Sequence, residues 1–156
     1  MGLLLADTFK RRVAQLEDCQ NVLSALEFDI GFMNMPISEA LMRCGDRAKG
    51  GIRDVLMYVC DRLSEDRCRD MQGLWKRALD RFGQELCLTN EDKKILIDFS
   101  KALGSGDCAN EINNIKMASA RLSVAQNDAR ELAKRNVKMY RGLGLLSGIF
   151  IVIVLI

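Results

Sequence analysis

Six cysteines carry most of the chemical potential of this 156-residue sequence, because a thiolate can act as a nucleophile or bind a metal. Nucleophilic use requires a base, most often histidine, and the sequence contains no histidine. The spacing of the cysteines includes no CxxC motif. We therefore predict reduced thiols packed in a cytosolic domain, with no catalytic residue, cofactor or metal site. The cysteines are Cys19, Cys44, Cys60, Cys68, Cys87 and Cys108.

Other residue patterns that could carry chemistry have ordinary structural explanations. Lys49-Gly50-Gly51 lacks the GxxxxGK[ST] context of a phosphate-binding loop. The acidic pair Glu91-Asp92 stands where a helix is predicted to begin, so it fits a solvated cap better than an acid/base pair. A net charge of +2 provides no basic field for nucleic acid, and we predict no nucleic-acid partner. An enzyme with an unrecognised thiol site is the weakest of three hypotheses for this chain.

Hydrophobic periodicity and helix-end signals predict an all-α fold, a six-helix bundle whose last helix is long. The first helix should reach about Phe32, because Pro36 cannot continue it. Thr89, followed by Asp92, resembles a capping box and should open the fifth helix, while Asp107 should cap the sixth. The second to fifth helices are predicted at residues 36–48, 52–66, 70–82 and 90–103.

The last helix organises the chain, because residues 107–141 contain neither proline nor glycine and should be continuously helical. Its apolar residues recur at steps of three and four and should face the bundle. This face thins after Leu132, so we expect residues 133–141 to stand alone as a rigid joint. The inward positions are predicted to be Ile112, Ile115, Ala118, Leu122, Ala125, Ala129 and Leu132.

Residues 142–156 contain no charge and predict a C-terminal membrane segment. Fifteen helical residues span roughly 22 Å, against a hydrocarbon core of ~30 Å, so the span should begin near Met139 and Tyr140. Small residues spaced as in GxxxG let membrane helices approach closely, which allows a homo-oligomer. The residues predicted to pack in the membrane are Gly142, Gly144, Gly148, Ile149 and Phe150.

Basic residues lie on the domain side of both apolar chain ends, and we name them the basic collar: Lys10, Arg11, Arg12, Lys134, Arg135, Lys138 and Arg141. Positive charge flanks membrane segments on the cytoplasmic side, so the domain at 10–141 should be cytoplasmic. Residues 1–9 fit two interpretations: the remnant of an N-terminal membrane helix, or a frayed helix start.

Four stretches of the chain carry a family resemblance: PISEAL at 36–41, LWKRAL at 74–79, the run LTNEDKKILIDFSKALGSGD at 88–107, and NVKMYRGLGLLSG at 136–148. Together they resemble the stage III sporulation protein AB family. The resemblance implies a helical domain similar to that of the platform protein of type II secretion and type IV pilus systems. It also implies a membrane component of the channel between mother cell and forespore, located in the outer forespore membrane.

The resemblance further implies partners for the chain, namely a sporulation ATPase (stage III sporulation protein AA type) and other channel membrane proteins. Where the family usually has aspartate followed four residues later by glutamine, this chain has Asp107 and Glu111, which are candidate partner contacts. A non-enzymatic scaffold that docks the ATPase is therefore the leading hypothesis. The alternative is a tail-anchored adaptor or regulatory protein unrelated to secretion. An operon shared with an ATPase gene would favour the scaffold over this adaptor.

Overall fold

The computed structural model describes residues 2–65 and 70–156, and this part of the chain contains six helices and no strand. The predicted all-α fold class is confirmed. Each predicted helix is present, and most ends agree within two residues. The helices are α1 (Gly2–Gly31), α2 (Ile37–Arg47), α3 (Gly50–Glu65), α4 (Met71–Phe82), α5 (Asn90–Ser100) and α6 (Cys108–Leu155).

The helices form a closed ring in which each packs against the next, and α6 returns to pack along α1. Large apolar side chains from all six helices fill the centre, where their removal from water is the main stabilising force. The ring of Trp75 meets that of Phe99 edge to face at 5.7 Å between centroids, joining α4 to α5. Fully buried side chains include Leu16, Leu23, Leu26, Leu41, Leu56, Leu74, Leu79, Ile115 and Leu122.

The predicted helix caps are present. The Thr89 hydroxyl accepts a hydrogen bond from the Asp92 N–H at 3.2 Å, and the Asp92 carboxylate accepts one from the Thr89 N–H at 3.0 Å. The two bonds complete a capping box, with aspartate in the place of the usual glutamate. However, α5 ends at Ser100, three residues before the predicted end, because residues 101–104 turn towards α6.

α1 and α6 run antiparallel over the length of the domain. The Gln20 side-chain amide donates to Gln126 Oε1 at 2.8 Å, midway along the pair. Near one end, the Cys108 thiol lies 3.7 Å from the Ile30 carbonyl oxygen. At the opposite end, Lys10 lies in the same groove as residues 133–138 of α6. These contacts place the start of α1 beside the part of α6 that precedes the apolar segment.

Two expectations for α6 were therefore wrong. Leu132 does not face the bundle, since 42% of it is exposed, and the inward positions instead continue through Gln126, Ala129 and Ala133. Gln126 is only 6% exposed, but its polar side chain breaks the apolar pattern from which the inward positions were predicted. Within the predicted free joint at 133–141, residues 133–138 also do not stand alone, because Lys10 of α1 lines a groove with them.

α6 is one continuous helix of 48 residues, as predicted from its lack of proline. All of its residues from Arg141 onward are exposed. An 18-residue window in this helix has a mean hydropathy of 1.7 and no burial, so α6 is long and apolar enough to cross a membrane. The domain and the apolar segment thus share a single rod.

Candidate functional site

The basic collar lies at the end of the α1–α6 pair next to the apolar segment, which we call the membrane-proximal end. Six of its seven predicted members come from this region of both helices: Lys10, Arg11, Lys134, Arg135, Lys138 and Arg141. All six are exposed, and none of them takes part in the ion pairs found within residues 2–65 and 70–156. The structure therefore brings together basic residues more than 120 positions apart in sequence.

Arg12, the seventh predicted member, serves the domain instead. Its guanidinium donates to both carboxylate oxygens of Asp92, with Nε to Oδ2 at 2.8 Å and Nη2 to Oδ1 at 3.0 Å. Only 14% of the Arg12 side chain and 2% of the Asp92 side chain are exposed. Bidentate pairs of this kind are among the stronger charged contacts in proteins. Arg12 thus ties α1 to the start of α5.

The same pair determines the acid–base behaviour of Asp92. Burial alone would raise the pKa of this carboxyl group, because the charged form loses hydration. The hydrogen bonds from Arg12 and from the Thr89 N–H outweigh burial and hold the pKa of Asp92 below its ordinary value. No local sequence signal identified Arg12 as the partner, since the two residues are 80 positions apart.

The opposite end of the pair, which we call the distal end, contains the predicted partner contacts Asp107 and Glu111. The Asp107 carboxylate accepts hydrogen bonds from the N–H groups of Ala109 at 3.1 Å and Asn110 at 3.4 Å. Glu111 is only 7% exposed and accepts the Gly104 N–H at 2.9 Å. Both carboxylates are therefore used to begin α6, and of the two only Asp107 is exposed.

Exposed aromatic side chains at the distal end were missed by the sequence analysis. Phe28 and Phe32 are 55% and 76% exposed, and their rings stack at 5.2 Å between centroids. Met33 is also exposed, at 52%. A signal was present in the sequence, because Phe28 and Phe32 lie off the face formed by Leu16, Leu23 and Leu26. We call Phe28, Phe32 and Met33 the distal apolar patch.

The predicted membrane-packing residues have open surroundings. A Cβ atom added to Gly142, Gly144 or Gly148 would meet nothing within 4 Å. Ile149 and Phe150 are 51% and 68% exposed. The face is therefore free for another helix or for lipid, and its use for helix packing stays a prediction.

The cysteines differ in accessibility. Burial is the main cause that raises the pKa of Cys19 to about 12 and that of Cys44 to about 11, and burial raises the Cys60 thiol likewise to about 11. Cys87 is half-buried and Cys108 is exposed, while Cys68 lies outside the described residues. Within the described part of the chain, no three cysteine or carboxylate side chains group as metal ligands.

Comparisons with known proteins agree in pointing to one family. The sequence model of the family described as stage III sporulation protein AB matches residues 1–156. Stage III sporulation protein AB of Bacillus subtilis (strain 168) is 24% identical over 155 residues, which cover 99% of this chain and 90% of that protein. A solved structure of stage III sporulation protein AB has a TM-score of 0.72 at 20% identity, covering 80% of this chain and 97% of that one. At 20% identity, the similarity to this solved structure shows the fold alone.

Proposed function

The chain belongs to the stage III sporulation protein AB family, and from this premise we propose that it is a membrane scaffold of the channel between mother cell and forespore. In this role it catalyses no reaction. It holds the sporulation ATPase at the outer forespore membrane, beside other membrane proteins of the channel.

The distribution of charge and apolar surface supports a domain held upright on a bilayer. Residues 142–156 insert, with the span starting near Met139 and Tyr140. The exposed cations of the basic collar lie where the lipid headgroups would be, and they favour a cytoplasmic domain. Because α6 is continuous, the domain projects along the direction set by the span.

The distal apolar patch is the observation that carries ATPase docking. Stacked phenylalanines at 55% and 76% exposure are costly to leave in water, and exposed apolar clusters often mark interaction sites. The patch lies at the end of the domain farthest from the apolar segment, where a cytosolic protein has free access. Asp107 is exposed at the same end of the domain and adds a polar group to this surface.

A binding assay with matched variants tests this proposal. The full chain, reconstituted in lipid nanodiscs, is titrated with the sporulation ATPase, and the double variant Phe28→Ala, Phe32→Ala is compared with Val124→Ala. Val124 is also exposed, at 62%, but lies midway along the 108–141 part of α6, about four turns from its start. Truncation of central apolar anchors at interfaces commonly costs ~2 kcal/mol or more, so we expect at least roughly 30-fold weaker binding for the phenylalanine variant. The Val124 variant should bind as the wild type does.

Equal affinities of the wild type and the phenylalanine variant would place docking elsewhere on the domain. If the wild type does not bind the ATPase at all, the scaffold proposal fails. The tail-anchored adaptor then becomes the better interpretation, since it requires the same anchor but no ATPase.

A further inference from the structure

A groove separates α1 from α6 at the membrane-proximal end. It has a volume of about 430 Å³ and is lined by Lys10, Ala133, Lys134, Arg135, Val137 and Lys138. We call it the collar groove. It is formed by both helices of the pair, so it exists only because the chain folds the start of α1 back onto α6.

The walls of the collar groove are strongly basic. Four of its six lining residues are cations, and within residues 2–65 and 70–156 none of these four has a carboxylate in ion-pair contact. Residues 1–11 and 131–141 together hold six basic and two acidic side chains, a net charge of +4 in a chain whose total is +2. The rest of the chain therefore carries −2, and positive charge is concentrated around this groove.

The floor of the groove is apolar. Ala133 and Val137 are one helical turn apart and half-buried between the helices, while Lys134 and Lys138 follow the same spacing along one flank. The groove ends a few residues before the exposed apolar run that starts at Gly142. A ligand that matches this order has an anionic head beside an apolar body, as a phospholipid does.

We propose that the collar groove binds one anionic phospholipid, with its phosphate between Lys10 of α1 and Lys134 and Lys138 of α6. The acyl chains then lie along α6 beyond Arg141. The bound lipid bridges both helices and so holds α1 against α6 at the membrane surface. This inference depends on insertion of residues 142–156 in a bilayer and is independent of ATPase docking.

Native mass spectrometry of the full chain tests the proposal. The protein is released from nanodiscs of phosphatidylcholine that contain a minor fraction of phosphatidylglycerol, and the lipid retained on each molecule is identified. The groove variant Lys10→Gln, Lys138→Gln is compared with Arg11→Gln, Arg141→Gln, which removes the same charge from collar residues outside the groove lining. Flotation with neutral phosphatidylcholine vesicles measures insertion separately.

The wild type should retain one phosphatidylglycerol in preference to phosphatidylcholine. Each basic residue that contacts the lipid phosphate should contribute about fivefold, as basic residues do near an anionic surface, so the groove variant should lose the preference about 25-fold. Arg11 and Arg141 lie outside the groove lining, and in a bilayer with only a minor anionic fraction the control variant should stay within about twofold of the wild type. An equal loss in both variants would show that the whole collar attracts lipid without a groove site. No preference in the wild type, or no flotation with neutral vesicles, would also overturn the proposal, and neither result bears on ATPase binding.

Discussion

The contact between Arg12 and Asp92 shows how a single residue can differ from its expected role. The position of Arg12 among basic residues suggested an exposed arginine near lipid. The Arg12 side chain instead reaches the start of α5 and is largely buried. Sequence patterns report local charge, whereas the pairing of two residues 80 positions apart depends on how the helices pack. The Gln20–Gln126 hydrogen bond between α1 and α6 was missed for the same reason.

Removing Arg12 should destabilise the domain strongly. In Arg12→Met the buried Asp92 carboxylate loses its charged partner, and breaking one side of such a pair costs roughly 3–5 kcal/mol. The measurement is urea unfolding in detergent, followed by fluorescence of Trp75, the single tryptophan, which is buried in the core. Arg121→Met, which breaks an ion pair with Asp98 that is about half exposed, is the control and should cost at most ~1 kcal/mol.

The unfolding free energy of the domain should also depend on pH through the contact between Arg12 and Asp92. Asp92 has a pKa below its ordinary value of 3.8 in the folded state, so its stabilising contribution is complete above that value. It is lost as the pH falls from about 4 through the lower, folded-state pKa. Asp92→Asn should therefore show a smaller loss of unfolding free energy over this acidic range than the wild type. Parallel curves for the two proteins would mean that the Arg12 contact does not hold Asp92 ionised.

At the scale of the helices, the sequence predicted all six helices, their order along the chain and their caps. These features depend on local periodicity and on residues such as Thr89, Asp107 and Pro36. It predicted poorly which helices accompany one another. Residues 133–141 were expected to stand alone, and instead Lys10 of α1 lines a groove with residues 133–138. The distal apolar patch was missed as well, although Phe28 and Phe32 lie off the face of α1 that carries Leu16, Leu23 and Leu26.

The continuous rod of α6 should depend on helix propensity at the joint. Leu132→Gly with Met139→Gly changes two exposed residues near the joint and costs roughly 2 kcal/mol relative to the matched alanine pair, at ~1 kcal/mol for each glycine. Spin labels attached through non-cysteine side chains at positions 124 and 145 report the joint by their distance distribution. The distribution should broaden in the glycine variant and stay narrow in the alanine variant. A narrow distribution in both would mean that the packing of α1 alone keeps the joint straight.

At the scale of the whole molecule, the basic end and the distal end should face different surroundings, lipid headgroups and cytoplasm. Cys108 is the thiol best placed to report this, because it is exposed at the distal end, whereas Cys60 is only 6% exposed. In intact cells that carry the protein in the plasma membrane, a membrane-impermeant maleimide should leave Cys108 unmodified, and permeabilisation should expose it. Peptide mass spectrometry measures the modified fraction.

A cysteine introduced as Ile156→Cys provides the matched control at the far end of the rod. With the domain in the cytoplasm and residues 142–156 across the bilayer, this thiol should react in intact cells. Modification of Cys108 before permeabilisation would place the domain outside the cell and contradict the proposed orientation.

The unbroken helix also gives the molecule a moment arm. From Arg141 to Ile112 and Lys116, which line a groove with Phe28 and Phe32, α6 extends about 40 Å at ~1.5 Å per residue, so in a membrane-anchored chain the stacked phenylalanines would stand about that far from the bilayer. Membrane helices tilt by ~20° on average, and a change of only ~10° at the span would carry Phe28 and Phe32 sideways by about 7 Å. Small rotations of the span would thus become displacements of several ångströms at the distal apolar patch, and a sideways force on the patch would act on the span as a torque.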